Sequence, residues 1–223
     1  MADKSYTDQK NQEFFDNWAT KYDGFKISPW FQYTQKLAIE QFTLGATSRV
    51  LDIGCGTGFA VTYLASVLGV EKACGIDISD KMVAKAQEKV LGEIKQKVEF
   101  RQAAADCIPY PSGSFGHVLC TNSFHHYPHP IEALQEMRRV LTPGGELVIF
   151  ENAPDLSLYT WAWDRLLRII EKGHVRYYTS HALGKLFKQA GFENPQLRVL
   201  RNEFMKYGKL FASIQVWYAR KES

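Results

Sequence analysis

The sequence predicts an α/β fold in which a mostly parallel β-sheet is covered by helices on both faces. Short apolar segments alternate with amphipathic helical segments through residues 46–151. That order requires crossover connections, which pack helices onto a parallel sheet. A glycine-rich stretch, residues 54–58, directly follows the first apolar segment. Such a loop lies where open α/β sheets bind ligands, at the carboxyl ends of the strands.

Length and composition predict one domain of an ordinary globular protein. The chain has 223 residues, and its net charge of +3 comes from Lys and Arg that are spread along it. This spread gives no support for nucleic acid as a partner. No run approaches the ~20 apolar residues of a membrane span, and residues 1–10 are too polar for a signal peptide. We therefore expect a cytoplasmic protein, acting as a monomer or a homodimer.

The four cysteines show no C-x-x-C spacing, and three of them lie in or next to predicted strands. Reduced, buried thiols are the favoured interpretation, with disulfides or a metal site as the alternatives. The cysteines are Cys55, Cys74, Cys107 and Cys120.

The first 45 residues predict a helical cap. Residues 1–10 are polar and are expected to be frayed. A helix over 11–22 is predicted because four aromatic side chains share one face: Phe14, Phe15, Trp18 and Tyr22. A second helix is expected to follow Pro29 and to end at Gly45.

Residues 46–151 predict the cofactor-binding core. Its five expected strands are 49–53, 72–77, 97–101, 115–121 and 146–150. Helices are expected over 57–68, after Ser79, and from Pro130 to Leu141, because apolar residues recur there at helical spacing. The sequence Pro-Gly-Gly at residues 143–145 predicts a turn before the fifth strand.

The last third of the chain predicts a helical lid insert, 152–178, and then a helix with two strands, 179–223. The expected helices are 156–170 and 180–190, and the expected strands are 195–200 and 211–219.

The sequence of the glycine loop indicates more than the fold class, because it distinguishes two kinds of ligand-binding motif. Gly54, Gly56 and Gly58 remove side chains from the turn, so backbone N–H groups can approach a ligand closely. The dinucleotide pattern G-x-G-x-x-G requires glycine or alanine at position 59, where this chain has Phe59. The loop instead follows Asp52 in the pattern of an acidic residue and then G-x-G-x-G.

Further motifs follow the loop in register. Asp77 ends the second strand, Asp106 follows Ala104 and Ala105 after the third, and residues 138–147 read RRVLTPGGEL. Together these motifs resemble the class I S-adenosylmethionine-dependent methyltransferases. They are most similar to the type 11 branch, which includes ubiquinone and menaquinone C-methyltransferases. The resemblance covers residues 10–150 by motif, including the start F-D-x-x-A-x-x-Y-D at 15–23.

The resemblance implies a Rossmann-like three-layer sandwich. Its seven-stranded, mostly parallel sheet has the order 3-2-1-4-5-7-6, with the last strand antiparallel. S-adenosylmethionine is the implied cofactor, with Asp77 on the ribose hydroxyls and Asp106 on the adenine amino group. The implied cofactor-binding set is Asp52, Gly54, Gly56, Gly58, Asp77, Ile78, Met82, Ala105, Asp106, Cys107 and Asn122.

Alternatives stay open for several of these residues. Asp77 can instead be a helix cap, Asp106 a turn former, and Ile78 and Met82 simple core residues. Cys107 is expected to offer its backbone N–H to the adenine ring. Asp52 is expected to orient the loop or to meet the methionine amino group through water.

The acceptor is expected to meet the methyl group in the segment after the fourth strand. His125 and His126 are the candidate catalytic bases there, with loop packing as the alternative. Metal binding by these two and His129 is not expected, since adjacent histidines lack ligand spacing. The segment also lacks the Asn-Pro-Pro-Tyr of nucleic-acid amino methyltransferases.

Aromatic residues gather in the two inserts and predict a lid over an apolar or planar acceptor, although an aromatic stripe can equally be core. The expected substrate-binding residues are Phe14, Trp18, Tyr22, Trp30, Trp163 and Tyr177, and Tyr159, Trp161 and Tyr178 accompany them. His174 and Arg176 lie nearby in the sequence and are candidates for an anionic acceptor group.

The sequence therefore predicts a methyltransferase acting on a small-molecule acceptor. A non-catalytic S-adenosylmethionine-binding partner or sensor is the alternative from another class. An NAD-dependent oxidoreductase is disfavoured by Phe59 and by the lack of a Tyr-x-x-x-Lys pattern.

Overall fold

Seven strands form a single sheet in the order β3-β2-β1-β4-β5-β7-β6. The structure, a computed structural model, describes residues 4–19, 22–24, 28–155, 158–170, 174–200 and 214–222. The strands are β1 Arg49–Ile53, β2 Lys72–Asp77, β3 Val98–Gln102, β4 Phe115–Thr121, β5 Leu141–Asn152, β6 Gln196–Leu200 and β7 Ile214–Arg220. Strands β1 to β5 pair in parallel, and β7 is antiparallel to β5 and β6. The predicted fold class and strand order are confirmed.

Among the described residues, seven α-helices accompany the sheet: α1 Lys4–Ala19, α2 Ser28–Ile39, α3 Phe59–Ser66, α4 Asp80–Glu88, α5 Pro130–Val140, α6 Leu158–Ile170 and α7 Ser180–Gln189. The N-terminal prediction was wrong in its limits, because residues 4–10 are helical and α1 ends before Tyr22. That residue begins a short 3₁₀ turn, Tyr22–Gly24. Likewise α2 ends at Ile39, six residues short of Gly45.

Two apolar clusters lie on opposite faces of the sheet. Along β5, Leu147 and Ile149 pack with residues of α5 and α7, while Val148 and Phe150 pack with residues of α2, α3 and α4. Successive residues alternate because side chains of a strand point to opposite faces. Each buried side chain of this size stabilises the fold by roughly 1.5–3 kcal/mol, so both faces need their helices.

Strand β5 begins earlier than predicted. The segment 143–145, expected to be a turn, lies within it: the Gly144 N–H donates to the Lys221 carbonyl at 2.8 Å, and the Lys221 N–H donates to the Gly145 carbonyl at 2.9 Å. Gly144 has φ +75°, a conformation that glycine adopts without strain. The glycines therefore bend the strand while the end of the chain pairs with it.

All four cysteines are free thiols, and three of them are buried. The exposed one is Cys107. Within the described ranges, no helix is long and apolar enough to cross a membrane.

Helix α1 crosses the edge of the sheet where β1 to β4 end. The Ser79 hydroxyl, at the start of α4, donates to the Asp16 carboxylate. The Asn11 side-chain amide donates to the His126 carbonyl, after β4, at 2.9 Å. Because β1 lies between β2 and β4, these two bonds fix α1 across the glycine loop.

Candidate active site

A cavity of about 320 Å³ lies under α1, at the carboxyl ends of the parallel strands. This volume is within the range of ligand pockets. Most of the predicted site residues line it: Gly54, Gly56, Asp77, Ile78, Met82, Ala105, Asp106, Asn122, His125, His126, Trp18, Tyr22, Trp30, Trp163 and Tyr177. The structure thus brings together residues from loops and helices that are far apart in the sequence.

The Asp77 carboxylate holds the glycine loop. One oxygen accepts the Gly56 N–H at 2.8 Å, and the other accepts the Ser79 N–H at 3.0 Å. Burial raises the pKa of Asp77 to about 6, although these two N–H groups favour the ionised form. The Ser79 hydroxyl also accepts the Met82 N–H at 3.1 Å, which caps α4. One carboxylate therefore links the ends of β1 and β2 at the cavity wall.

The three loop glycines have different roles. A Cβ on Gly54 (φ +72°) would lie 2.6 Å from the Ser123 Cβ, so the loop after β4 requires this glycine. Gly56 (φ +52°) faces the cavity, and the nearest atoms to its Cβ would be in the Tyr22 ring at 3.9 Å. Of the three, Gly56 is the one where a Cβ would make only ordinary van der Waals contact.

Gly58 was predicted to bind the cofactor, but it does not line the cavity. Its Cβ would lie 2.6 Å from the Phe100 ring and 2.8 Å from the Ala86 Cβ, and its φ is +79°. Glycine is required there because α3 begins against β3 and α4. Packing therefore accounts for this glycine, and its role in cofactor binding stays a prediction.

Asp52 is also absent from the cavity wall. Its side chain is buried within β1, and neither carboxylate oxygen has a hydrogen-bond partner among the described residues. Burial, and secondarily the charge of Asp77, raises the pKa of Asp52 to about 8. Without a hydrogen bond to the loop, its predicted orienting role has no support here.

Cys107 does not fit its predicted role. Its side chain is exposed, and its backbone N–H donates to the Ala104 carbonyl at 3.2 Å. The N–H that was expected to meet the adenine ring is therefore used within the loop. Ala105 and Asp106 of the same loop do line the cavity, and Ala103 donates its N–H to the Asp77 carbonyl at 2.9 Å.

Met82 and Ile78 lie on the cavity wall, while Met82 is also almost fully buried. The two alternatives for Met82, core residue and ligand contact, are therefore compatible. Asn122 has φ +53°, and its side chain donates to the Thr34 hydroxyl of α2 at 2.9 Å. Its backbone N–H donates to the Phe150 carbonyl at 2.9 Å, which fixes the end of β4 against β5.

His125 and His126 lie in a short 3₁₀ turn, Phe124–His126, and both are buried at the cavity wall. The Nδ1 of His125 is 2.9 Å and 3.1 Å from the two carboxylate oxygens of Glu151. His126 meets the Phe15 ring edge-on, with centroids 4.8 Å apart. Sequence reasoning missed Glu151, although a carboxylate at the end of an apolar strand was a visible signal.

His174 and Arg176 are not among the residues that line the cavity, so the structure gives no support to their predicted contact with an anionic acceptor. The His174 Nε2 lies 2.8 Å from an oxygen of Asp164, and both side chains are buried. The exposed Arg176 guanidinium lies 5.6 Å from the centroid of the Tyr178 ring. Asp164 also accepts the Tyr177 N–H at 2.7 Å, so this pair holds the segment after α6.

Aromatic rings from α1, α2 and α6 form one wall of the cavity. Tyr22 stacks on Phe31 at 5.7 Å between centroids, and Trp18 meets Tyr22 edge-on at 5.5 Å. Phe15 lines this wall, whereas the predicted Phe14 does not. Neighbouring residues of a helix point about 100° apart, so only one of the two can face the cavity.

The other aromatic residues of the late insert lie partly at the surface and partly in the core. Trp161 is about half exposed, away from the cavity, and Tyr178 belongs to the core cluster with Phe124. The Tyr159 side chain lies outside the described residues. Besides Phe15 and Glu151, the residues that the sequence did not indicate at the site include Asn11, Gln35 and Tyr127.

Comparison with known proteins gives a family. Residues 51–149 match a family model described as "Methyltransferase domain". The chain is 27% identical over 208 residues to the demethylmenaquinone methyltransferase of Lactococcus lactis, covering 83% of this chain and 82% of that enzyme. It is 32% identical over 165 residues to the demethylmenaquinone methyltransferase of Deinococcus radiodurans, covering 70% of this chain and 66% of that enzyme.

A solved structure shares the fold. Phosphoethanolamine N-methyltransferase 2 of Haemonchus contortus, in complex with S-adenosyl-L-methionine, superposes with a TM-score of 0.70 at 15% identity. The match covers 94% of this chain and 60% of that one. With the family model, the relatives and the sheet order, the chain belongs to the class I S-adenosylmethionine-dependent methyltransferases, in their type 11 branch, and S-adenosylmethionine is its cofactor.

Proposed function

We propose that this enzyme transfers the methyl group of S-adenosylmethionine to a small, apolar or planar acceptor. The observation that carries the proposal is one continuous cavity lined by two kinds of residue. The loops after β1, β2 and β3 supply glycine, carboxylates and aliphatic side chains, and α1, α2 and α6 supply aromatic rings. The first set suits a nucleoside and the second an apolar acceptor.

The residues around Gly56 fit the cofactor. Gly56 lines the cavity without a side chain, so a ligand can approach the loop there, and the Asp77 carboxylate at that wall suits ribose hydroxyls. Ile78 and Met82 would contact the adenine ring, and Asp106 its amino group. When bound, S-adenosylmethionine supplies an electrophilic methyl group. The carboxylates of this wall suit the positive charge of its sulfonium.

Catalysis by this chain would depend on alignment and on exclusion of water. Methyl transfer is an in-line displacement, so an enzyme gains most by holding the acceptor atom in line with the methyl group. The wall of Phe15, Trp18, Tyr22 and Trp163 gives a planar acceptor a fixed orientation. Helices α1 and α6 cover the site, which keeps water from the reacting atoms.

The cofactor assignment is tested by calorimetry. Asp77→Ala should weaken binding of S-adenosylhomocysteine by about 1–3 kcal/mol, because it removes the acceptor of two hydroxyl bonds and loosens Gly56. Asp80→Ala is the matched control, since that exposed carboxylate lies three residues away at the start of α4. Equal affinity of the two variants, or tighter binding of NAD by the wild type, would overturn the assignment.

The acceptor class is tested by release of S-adenosylhomocysteine with aromatic and with small polar acceptors. We expect turnover with bicyclic aromatic acceptors, 1-naphthol, 1-naphthylamine and 1-naphthalenethiol, and none with the polar acceptors ethanolamine and glycine. Phe15→Ala should raise KM for the aromatic acceptors by roughly fivefold, since it removes ring contacts worth about 1 kcal/mol. Faster turnover of the polar acceptors would contradict the proposal. The cytoplasmic location and the oligomeric state stay predictions.

A further inference from the structure

Glu151 and His125 form a buried pair at the acceptor side of the cavity. Glu151 is the second-last residue of β5, and both of its oxygens lie within 3.1 Å of the His125 Nδ1. Both side chains are at least nine-tenths buried, and His125 lines the cavity. Carboxylates are almost never fully buried unless paired. This pairing therefore fixes the imidazole ring.

The geometry also determines which nitrogen of His125 is available. An ionised Glu151 accepts the proton of Nδ1–H, so the neutral imidazole has its lone pair on Nε2. Nε2 makes no hydrogen bond with any residue that the structure describes. The backbone is held as well, because the His125 carbonyl accepts the N–H groups of Val175 and Arg176 at 3.2 Å. His125 is thus held in a fixed orientation at the cavity wall, and its Nε2 is not used by the described residues.

We propose that Glu151 positions His125 as the general base for an acceptor that carries an aryl or enolic hydroxyl. The inference rests on the proposed function and names its acceptor class. The hydroxyl proton passes to Nε2, and the imidazolium that forms is stabilised by the Glu151 carboxylate. The acceptor oxyanion, through oxygen or a ring carbon, bonds to the methyl carbon as the carbon–sulfur bond breaks. The electron pair of that bond stays on sulfur, which becomes a neutral thioether, and His125 releases its proton to water.

The pair is poised near neutral pH. Burial raises the pKa of Glu151 to about 7, with His126 opposing, and burial lowers the pKa of His125. Below this pH a protonated Glu151 donates to Nδ1, so the imidazole proton lies on Nε2 and the base is lost. Activity with hydroxyl acceptors should therefore rise through about pH 7. The other titratable groups that act on the pair are His126, His174, Asp164, Cys120 and Tyr178.

The experiment uses 4-nitrophenol as a probe, because its phenolate absorbs visible light. The probe is bound to the whole enzyme saturated with S-adenosylhomocysteine, and its apparent pKa is read from a pH titration. Two near-isosteric variants are compared. Glu151→Gln keeps the shape of the pair without its charge, and His125→Asn can still donate to Glu151 but lacks Nε2. Glu146→Gln is the matched control, since Glu146 is equally buried in β5 and also faces a histidine, His117, at the opposite end.

In the wild type and in Glu146→Gln, the pKa of bound 4-nitrophenol should fall by about one unit, because a protonated Nε2 donates to the phenolate. The fall should disappear in His125→Asn and be at least halved in Glu151→Gln. With 1-naphthol, Glu151→Gln should lower kcat by about 10²–10⁴-fold, remove the rise near pH 7 and change KM little.

Three results would overturn the inference: no binding of 4-nitrophenol, an unchanged pKa of the bound probe in the wild type, or equal shifts in all variants. Methylation of 1-naphthylamine without methylation of 1-naphthol would overturn it while leaving the proposed function intact. Failure of the wild type to bind S-adenosylhomocysteine would instead refute the proposed function. Calorimetry with that ligand also shows whether each variant keeps its cofactor site.

Discussion

At the scale of single residues, Asp52 is the most unusual group in the core. Its carboxyl is buried without a hydrogen-bond partner in the described structure, and its pKa is raised to about 8 from an ordinary 3.8. A folded-state pKa above the unfolded value means that the folded state binds the proton more tightly. The contribution of Asp52 to stability is therefore complete below about pH 4 and is lost as the pH rises through 8.

We expect Asp52→Asn to flatten the pH dependence of stability. Between about pH 5 and about pH 9, the free energy of unfolding should fall less in this variant than in the wild type, by about 1.4 kcal/mol or more. The asparagine has nearly the same shape but cannot ionise. Urea unfolding at the two pH values measures the difference, and Asp80→Asn, an exposed carboxylate, controls for general effects. Parallel pH profiles of the wild type and Asp52→Asn would show that Asp52 does not titrate as argued.

The position of a predicted site residue could be predicted from the sequence where a motif fixes the backbone. Gly56, Asp77 and Asp106 line the cavity because each lies at or after the end of a parallel strand, at one edge of the sheet. Phe14 lies off the cavity wall because the sequence shows an aromatic stripe without showing its rotation. The binding roles of these residues stay predictions. Glu151 was missed because its partner, His125, is distant in sequence and joined only by the pairing of β4 with β5.

At the scale of elements, we expect different glycines of the loop to serve packing and ligand binding, and Gly58 is required for packing. Gly58→Ala would place a methyl group 2.6 Å from Phe100 at φ +79°, whereas Gly69→Ala has φ +65° and no atom within 4 Å. Both variants incur the left-handed strain of about 1–2 kcal/mol, and only the first adds overpacking of about 1–3 kcal/mol. Gly58→Ala should therefore unfold at lower urea concentration than Gly69→Ala. Equal losses would show that α3 can shift away from β3 without cost.

Gly56→Ala should affect ligand binding more than stability. Its methyl group meets no described atom closer than 3.9 Å, so its cost to stability should match that of Gly69→Ala, about 1–2 kcal/mol. Because the added methyl group projects beside the cavity, Gly56→Ala should weaken the binding of S-adenosylhomocysteine more than tenfold, as measured by calorimetry. Gly58→Ala, if folded, should bind that ligand within about threefold of the wild type. A reversal of the two affinities would place the cofactor beside Gly58 instead.

The helices and strands could be predicted from the periodicity of apolar residues, but the residues at which some of them begin or end could not. The strands β1, β2 and β4 match their predicted bounds, because each apolar run ends at a polar residue or a glycine: Gly54 after β1, Asp77 at the end of β2, and Thr121 and Asn122 at the end of β4. The start of α1 was hidden by polar residues that lack an apolar face, and the start of β5 by a Pro-Gly-Gly sequence. In that case the pairing of Gly144 and Gly145 with Lys221, far along the chain, decides the structure.

At the scale of the whole molecule, the order of the sheet explains how one helix can cover the site. The order β2-β1-β4 places Ser79 and His126 on either side of the glycine loop, and α1 bonds to both through Asp16 and Asn11. Sequence could predict the sheet from its motifs. It could not predict this bridge, because the polar residues that form it are unremarkable in composition.

If α1 is a strap that retains the cofactor, breaking both bonds should speed its release. We expect Asn11→Ala with Asp16→Ala to raise the dissociation rate of S-adenosylhomocysteine by up to roughly thirtyfold, since the two net hydrogen bonds are worth about 1 kcal/mol each. The association rate should change less than the dissociation rate, because the two bonds hold α1 over a ligand that is already bound. Stopped-flow displacement measures both rates. The matched control is Gln9→Ala with Glu13→Ala, which removes a hydrogen bond on the exposed face of the same helix. Equal release from the two double variants would mean that α1 packs beside the cavity without retaining its ligand.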